Sequence, residues 1–176
     1  MPHHRLLSLT LTNATFFSTL SLPFSDGLNC LLGGRGSGKS GVLHLIRFAL
    51  GAPIPADYAA EHDEYIQAIL GGRTATVSFL TQHGAAYTSS RTYGAPPVVR
   101  GANSEVVPVS LDGDLFKIDA YAQNEIEGIA RSPKAQLDLI DKFAEADIRR
   151  IDLAVQQIDR KLAQTAATIA GHAARM

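Results

Sequence analysis

The chain has no tryptophan, one cysteine and two methionines among its 176 residues. A single thiol, Cys30, closes no internal disulfide, and without a second cysteine there is no Cys pair to start a zinc site. His3 and His4 are only a short pair near the start. An excess of one charge is also lacking: 16 Lys and Arg stand against 17 Asp and Glu, a net charge of −1. That balance excludes a whole-chain electrostatic grip on nucleic acid or an anionic membrane and leaves room only for a local basic patch. No apolar run approaches the roughly 18 residues of a membrane span, and the N-terminus lacks a signal peptide's apolar stretch. What is present is a chain 45% apolar and 19% charged, enough to bury a core in one domain, or two at most. These features set the expectation of a soluble, cytoplasmic protein.

Leu7, Leu9 and Leu11 alternate with Ser8 and Thr10, which is strand period. A second β-rich run covers Thr15 to Leu22 and ends at Pro23 and the Ser25-Asp26-Gly27 turn. Leu28-Asn29-Cys30-Leu31-Leu32 reads as a short strand buried on both faces. After a glycine-rich loop, Val42 to Leu50 reads as an apolar helix stopped by Gly51 and Pro53, and Ala59 to Leu70 as a helix closed by Gly71-Gly72. Thr74 to Leu80 and Ala85 to Tyr93 read as a hairpin around His83-Gly84. Gly94 to Gly101, with Pro96 and Pro97, reads as a loop, and short β segments are expected at Val106 to Val109 and Phe116 to Tyr121.

Ser132-Pro133 is a helix start, a hydroxyl for the N-cap and a proline for the first turn. No proline follows it. The apolar positions then run Leu137, Ile140, Ala144, Ile148, Ile151, Val155, Ile158, Leu162, Thr165, Ile169. From Ile148 the steps alternate three and four, a heptad register with a at 148, 155, 162 and 169 and d at 151, 158 and 165. The step through Ala144 reads as a stutter. A coiled coil is the expectation; a long amphipathic helix packed on its own domain is the alternative.

The sharpest pattern is Gly33-Gly34-Arg35-Gly36-Ser37-Gly38-Lys39-Ser40, a full G-x-x-x-x-G-K-[ST] match. Glycines let successive backbone N–H groups turn toward phosphate oxygens. The helix that follows adds its positive N-terminal end. Lys39 is placed to reach the β- and γ-phosphates, and the Ser40 hydroxyl to bind Mg²⁺. The expectation is a nucleotide cradle of Gly33, Gly34, Arg35, Gly36, Ser37, Gly38, Lys39, Ser40 and Gly41, taking ATP with Mg²⁺.

With its flanks, the stretch L-T-L-T-N-A-T-F-F … L-P-F-S-D-G-L-N-C-L-L-G-G-R-G-S-G-K-S resembles the N-terminal half of the SMC-like ABC ATPase heads. That group includes the structural-maintenance-of-chromosomes proteins and the RecN and RecF repair proteins. Phe48-Ala49-Leu50-Gly51 and the hairpin ending Ser90-Arg91-Thr92-Tyr93 resemble the family's post-loop helix and outer strands. Tyr121-Ala122-Gln123-Asn124-Glu125-Ile126 resembles its Q-loop, which implies Gln123 as a ligand of Mg²⁺ and a contact to the attacking water. The resemblance thus implies Lys39 and Gln123 as catalytic residues and Ser40 and Gln123 as metal ligands. Arg35 departs from the family's usual Asn, and no arginine lies between Arg47 and Arg73, where chromosome-type heads carry one. The implied fold is α/β: a P-loop core with an antiparallel side sheet over residues 1–132, then a long coiled-coil helix over 133–176.

Neither a signature serine-glycine motif nor a Walker B Asp-Glu is found; Lys117-Ile118-Asp119-Ala120 and Leu111-Asp112-Gly113-Asp114 do not supply it. The expectation is therefore a piece of a longer protein. Its implied partners are the C-terminal half of the same head, a second head, and DNA, with no membrane. A P-loop kinase of nucleotides or small molecules is the alternative, but it does not explain the hairpin and heptads. A scaffold without catalysis is argued against by the intact Lys39-Ser40. Glu61, Asp63 and Glu64 read as a solvated helix face, His44 as a structural histidine, and Arg91 and Arg100 as surface cations rather than DNA contacts. Asn13 reads equally as a strand-end turn residue or, by the resemblance, as a neighbour of the adenine.

Overall fold

The alternating Leu9 and Leu11 lie on β1, Arg5–Thr12, and both are fully buried. The computed structural model describes residues 3–12, 19–108, 111, 116 and 118–173. The chain divides into two compact units, residues 1–123 and 124–176.

The first unit is built on one sheet. β2 (Thr19–Pro23), β3 (Thr74–Leu80), β4 (Ala86–Thr92) and β5 (Val98–Arg100) join β1 in the order β2-β1-β3-β4-β5. All four pairings are antiparallel. The register sets Leu9 opposite Val77 and Leu11 opposite Ala75, so the inward rows of β1 and β3 coincide. On the other face of β3, hydroxyls pair across to β4: Thr74 with Thr92 at 2.8 Å and Thr76 with Ser90 at 3.0 Å. The expected hairpin is there, and so is the expected single sheet that holds it together with β1 and β2.

α1 (Lys39–Leu50) lies on the inner face of this sheet. Its residues Val42, Leu45, Ile46, Phe48, Ala49 and Leu50 are buried, because α2 (Ala56–Leu70) covers its other side with His62, Ile66, Ile69 and Leu70 at helical spacing. Gly51 and Gly71 end the two helices in the left-handed conformation, at φ 63° and 52°, as glycine past a helix end is suited to do. Phe79 sits in the core with its ring 4.3 Å from Phe116 and 5.9 Å from Tyr87.

Four expectations need correcting. Residues 28–32 form no strand, and Leu28 and Leu32 are 89% and 94% exposed. A strand buried on both faces needs neighbours on both sides, and among the described residues none pairs with it. The Asn29 side chain organises the segment instead: its Oδ1 accepts from Ser25 N at 2.9 Å and its Nδ2 donates to Ser25 O at 3.0 Å. Second, the Gly94 to Gly101 loop contains β5, a three-residue edge strand just after Pro97. Third, Val106 makes only an isolated bridge to Arg100. Fourth, residues 116 and 118–121 form no strand, although Phe116 is buried in the core. Asn13, Val109, Asp112 to Asp114 and Lys117 lie outside the described residues.

In the second unit, α3 (Gln123–Arg131), beginning at the boundary residue, is followed by α4 (Pro133–Phe143) and α5 (Glu145–Ala173). Ser132 is the N-cap of α4, its hydroxyl accepting from Ala135 N at 3.3 Å. The single helix expected from Ser132 is thus two. The break falls at Ala144, where the heptad steps were irregular; Ala144 turns out of helical geometry (φ −104°, ψ 11°) and its carbonyl accepts the first bond of the next helix from Ile148 N at 2.9 Å.

Truncating Phe79 to Ala should cost about 3–5 kcal/mol, the usual penalty for deleting a buried ring. A denaturant midpoint unchanged by Phe79→Ala would contradict this core.

Candidate functional site

The loop before α1 is shaped by glycines at positions that disfavour other residues. Gly36 and Gly38 have φ of 78° and 83°, in the left-handed region. Gly38 is also the N-cap of α1, and it offers no side chain to the first turn of the helix. No acidic residue occupies that turn. Its orphan N–H groups and its positive end are therefore left for an anionic ligand.

Lys39, the first residue of α1, folds back over the loop. Its Nζ donates to Gly33 O and Gly34 O at 2.6 Å each and to Ser37 Oγ at 3.2 Å. The ammonium thus sits at the centre of the loop, held by neutral acceptors. A phosphate would replace them as a stronger, charged partner.

Gly36, Ser37, Gly38, Lys39 and Ser40 line one side of a cleft of about 590 Å³. Its far wall is Tyr65, Ala68 and Ile69 of α2. α2 can come this close because position 41 is glycine: a Cβ there would lie 3.2 Å from Ile69 Cδ1 and 3.4 Å from the Tyr65 hydroxyl. The cleft's size, its glycine cradle and its single cation fit a nucleotide's phosphates.

The structure brings together only part of the expected set. Gly36 to Ser40 share the cleft, Gly33 and Gly34 hold Lys39 through their carbonyls, Arg35 is exposed, and Gly41 is buried under α2. Gln123 opens α3 as an exposed residue and is not among those lining the cleft. Tyr65, Ala68 and Ile69 were missed. The 62-66-69 spacing marks a buried face of α2, but nothing in the sequence says that α1 is what it meets.

Other candidates fall into place around the helices. Glu61, Asp63 and Glu64 are exposed, and Asp63 accepts from the Tyr93 hydroxyl at 2.7 Å. Among the described residues no group of three or more His, Cys, Asp or Glu is placed to hold a metal. Arg91 is not an ordinary surface cation. It lies 4.5 Å over the Phe48 ring and donates to Phe48 O at 3.1 Å and Ala95 O at 2.9 Å. Burial, opposed by Asp63, pulls its pKa below the usual arginine value. Arg100 is exposed and donates to Ser104 O at 3.1 Å.

No family model matches this sequence, and neither does any curated protein. Among solved structures, a chain from a study of ATP-driven dimerisation and DNA-stimulated activation of SMC ATPases is similar, with a TM-score of 0.56 and 19% identity. The likeness covers 78% of this chain and 98% of that one. The chain therefore shares the fold of that structure, a mixed α/β arrangement, and its own sheet is antiparallel.

Gly38→Ala should destabilise the chain by about 1–2 kcal/mol, because it forces an L-residue into left-handed geometry. Gly34→Ala should stay within about 0.5 kcal/mol, since a Cβ there meets nothing within 4 Å. Urea unfolding of the two variants tests the loop geometry, and equal effects would contradict it.

Proposed function

We propose that this chain is the ATP-binding lobe of an SMC-like ATPase whose nucleotide-driven head engagement acts on DNA. The observation that carries the reading is Lys39 Nζ held at the centre of the glycine loop, at the uncapped start of α1. The N–H groups of Gly36 to Ser40 would take the phosphates, with Lys39 on the β- and γ-phosphates and Ser40 on Mg²⁺. Bound Mg²⁺ would neutralise the charge that builds on the transferring phosphate. Gln123 is the second metal ligand and the water-positioning group in this proposal, as in the family that the sequence resembles.

The same proposal assigns the partners. Strands from the C-terminal half of the head would flank residues 28–32 and cover Leu28 and Leu32, which stand exposed. A second copy of the head would close the nucleotide from the other side, and DNA would be the polymer acted on. The SMC ATPase study that supplied the similar structure concerned ATP-driven dimerisation and DNA stimulation, which agrees with this assignment. Residues 1–132 would be the lobe and 133–176 the start of the coiled coil. Among the described residues no helix is long and apolar enough to cross a membrane, and we assign the protein to the cytoplasm.

Three measurements test this reading. A fluorescent ATP analogue with Mg²⁺ should bind residues 1–176, and Lys39→Ala should weaken it about 10- to 100-fold, the worth of hydrogen bonds to a charged group. Steady-state hydrolysis by the chain alone should be absent or very slow; sustained turnover abolished by Lys39→Ala would overturn the idea that catalysis needs the other half.

The third concerns α5, where Ile151, Val155, Ile158 and Leu162 are 50–62% exposed. Such a stripe is seldom left bare in water, so the chain should self-associate through it at high concentration. Analytical ultracentrifugation should show a dimer that Ile151→Asp with Ile158→Asp abolishes, with binding of the ATP analogue intact. A strict monomer with α5 ordered would contradict the coiled-coil assignment.

A further inference from the structure

α2 is fastened to α1 by a contact that phosphate binding does not use. His44 on α1 and His62 on α2 meet through their Nδ1 atoms at 2.8 Å, with ring centroids 5.0 Å apart and planes tilted by 45°. One imidazole must donate and the other accept, which two neutral rings in complementary tautomers satisfy. The contact lies directly beside the cleft wall. The Tyr65 ring is 4.9 Å from His44, and Tyr65 and Ile69 close over Gly41, next to Ser40.

His62 is in a poor place for a positive charge. Its residue is 7% exposed. From α1 it faces His44 and the buried Arg47, and from β4 it faces Arg91. On its own helix only Asp63 favours the charged form, and Asp63 already accepts from the Tyr93 hydroxyl. Burial first, then His44 and Arg47, lower the His62 pKa to about 4.

We propose that the His44–His62 pair is a proton-sensitive latch: it holds α2 against α1 as the wall of the phosphate cleft, and acidification releases that wall and speeds nucleotide escape. The last clause rests on the nucleotide-binding reading above; the latch itself does not. With α2 docked, His62 stays neutral down to about pH 4. With α2 released, it takes a proton near the ordinary value of about 6.5. The docked state is therefore fully favoured above about pH 6.5 and loses that advantage as pH falls toward 4. Between pH 7.5 and 5.5 the opening equilibrium of α2 should rise about tenfold from this one group.

Amide hydrogen exchange on the 176-residue chain reads that equilibrium without nucleotide. After correction for intrinsic rates, protection of the α2 amides should fall about tenfold from pH 7.5 to 5.5. In His62→Asn, which keeps a short amide facing His44 but takes no proton, the change should be less than about twofold. Protection of α2 that ignores pH in the wild type, or falls equally in His62→Asn, would overturn the latch. The wild type alone gives a second reading: the His62 ring should stay neutral by NMR to about pH 4, and titration near 6.5 would overturn the proposal even if the variant fails to fold. Displacement of a fluorescent ATP analogue, bound with Mg²⁺, should quicken about tenfold over the same pH range in the wild type and hardly at all in His62→Asn. A displacement rate that ignores pH while exchange responds would overturn the coupling to the cleft. Absence of analogue binding at pH 7.5, with exchange behaving as expected, would overturn the nucleotide reading and support the latch as a property of the helix pair.

Discussion

Ser89, fully buried on β4, donates its hydroxyl to Ala49 O at 2.6 Å. Two residues on along the same strand, Arg91 donates to Phe48 O and covers the Phe48 ring. Both bonds engage carbonyls in the last turn of α1, where helix donors run out; Phe48 O accepts also from the N–H of the cap residue Gly51, at 3.1 Å. They fix the C-terminal end of α1 against β4, next to the sheet's β5 edge, and a helix fixed at one end has its other end aimed. That end is the glycine loop. The polar pair on β4, Ser89 buried and Arg91 half-buried, therefore helps to set where Lys39 and Ser40 stand, although neither member is among the residues that line the cleft. Losing the Ser89 hydroxyl would leave the buried Ala49 carbonyl short of a partner, a cost of about 1–3 kcal/mol.

α2 meets a different constraint. It covers α1 with an apolar face, but the residue nearest the histidine of α1 is itself a histidine. An apolar side chain in place of His62 would pack as well and would ignore pH. The polar pair makes the contact conditional, since it needs one donor and one acceptor nitrogen, in a site where burial and two arginine side chains disfavour a charge on His62. The same helix then presents Tyr65, Ala68 and Ile69 to the loop, so the conditional contact and the cleft share one rigid element.

Much of the local structure was legible in the sequence because it is locally determined. Alternating Leu9 and Leu11, the β3–β4 hairpin around His83-Gly84, and the ends of α1 and α2 at Gly51 and Gly71 follow from period-2 and left-handed-glycine rules that need no distant partner. The loop's geometry was legible for the same reason, since Gly36 and Gly38 adopt the positive φ that their residue type favours. Residues 28–32 misled because an apolar run states only that a segment wants burial, and burial needs neighbouring strands. β5 was hidden by its length and by the prolines before it. At Ala144 the irregular heptad step marked the right place, but period alone does not separate a stutter from a break.

The sequence by itself determined most of the elements and the glycine pattern of the loop, because spacing, turn chemistry and capping act over a few residues. Only the tertiary structure decided what those elements do to one another. It joined His44 to His62 across 18 positions of chain, set Ser89 of β4 under Ala49 of α1, and made Tyr65 and Ile69 the wall facing Lys39. Such contacts depend on the angle and depth at which two helices and a sheet settle together. Those are fixed by close packing of the whole core, here around Leu11, Leu45, Ile66 and Val77, and no single segment carries that information.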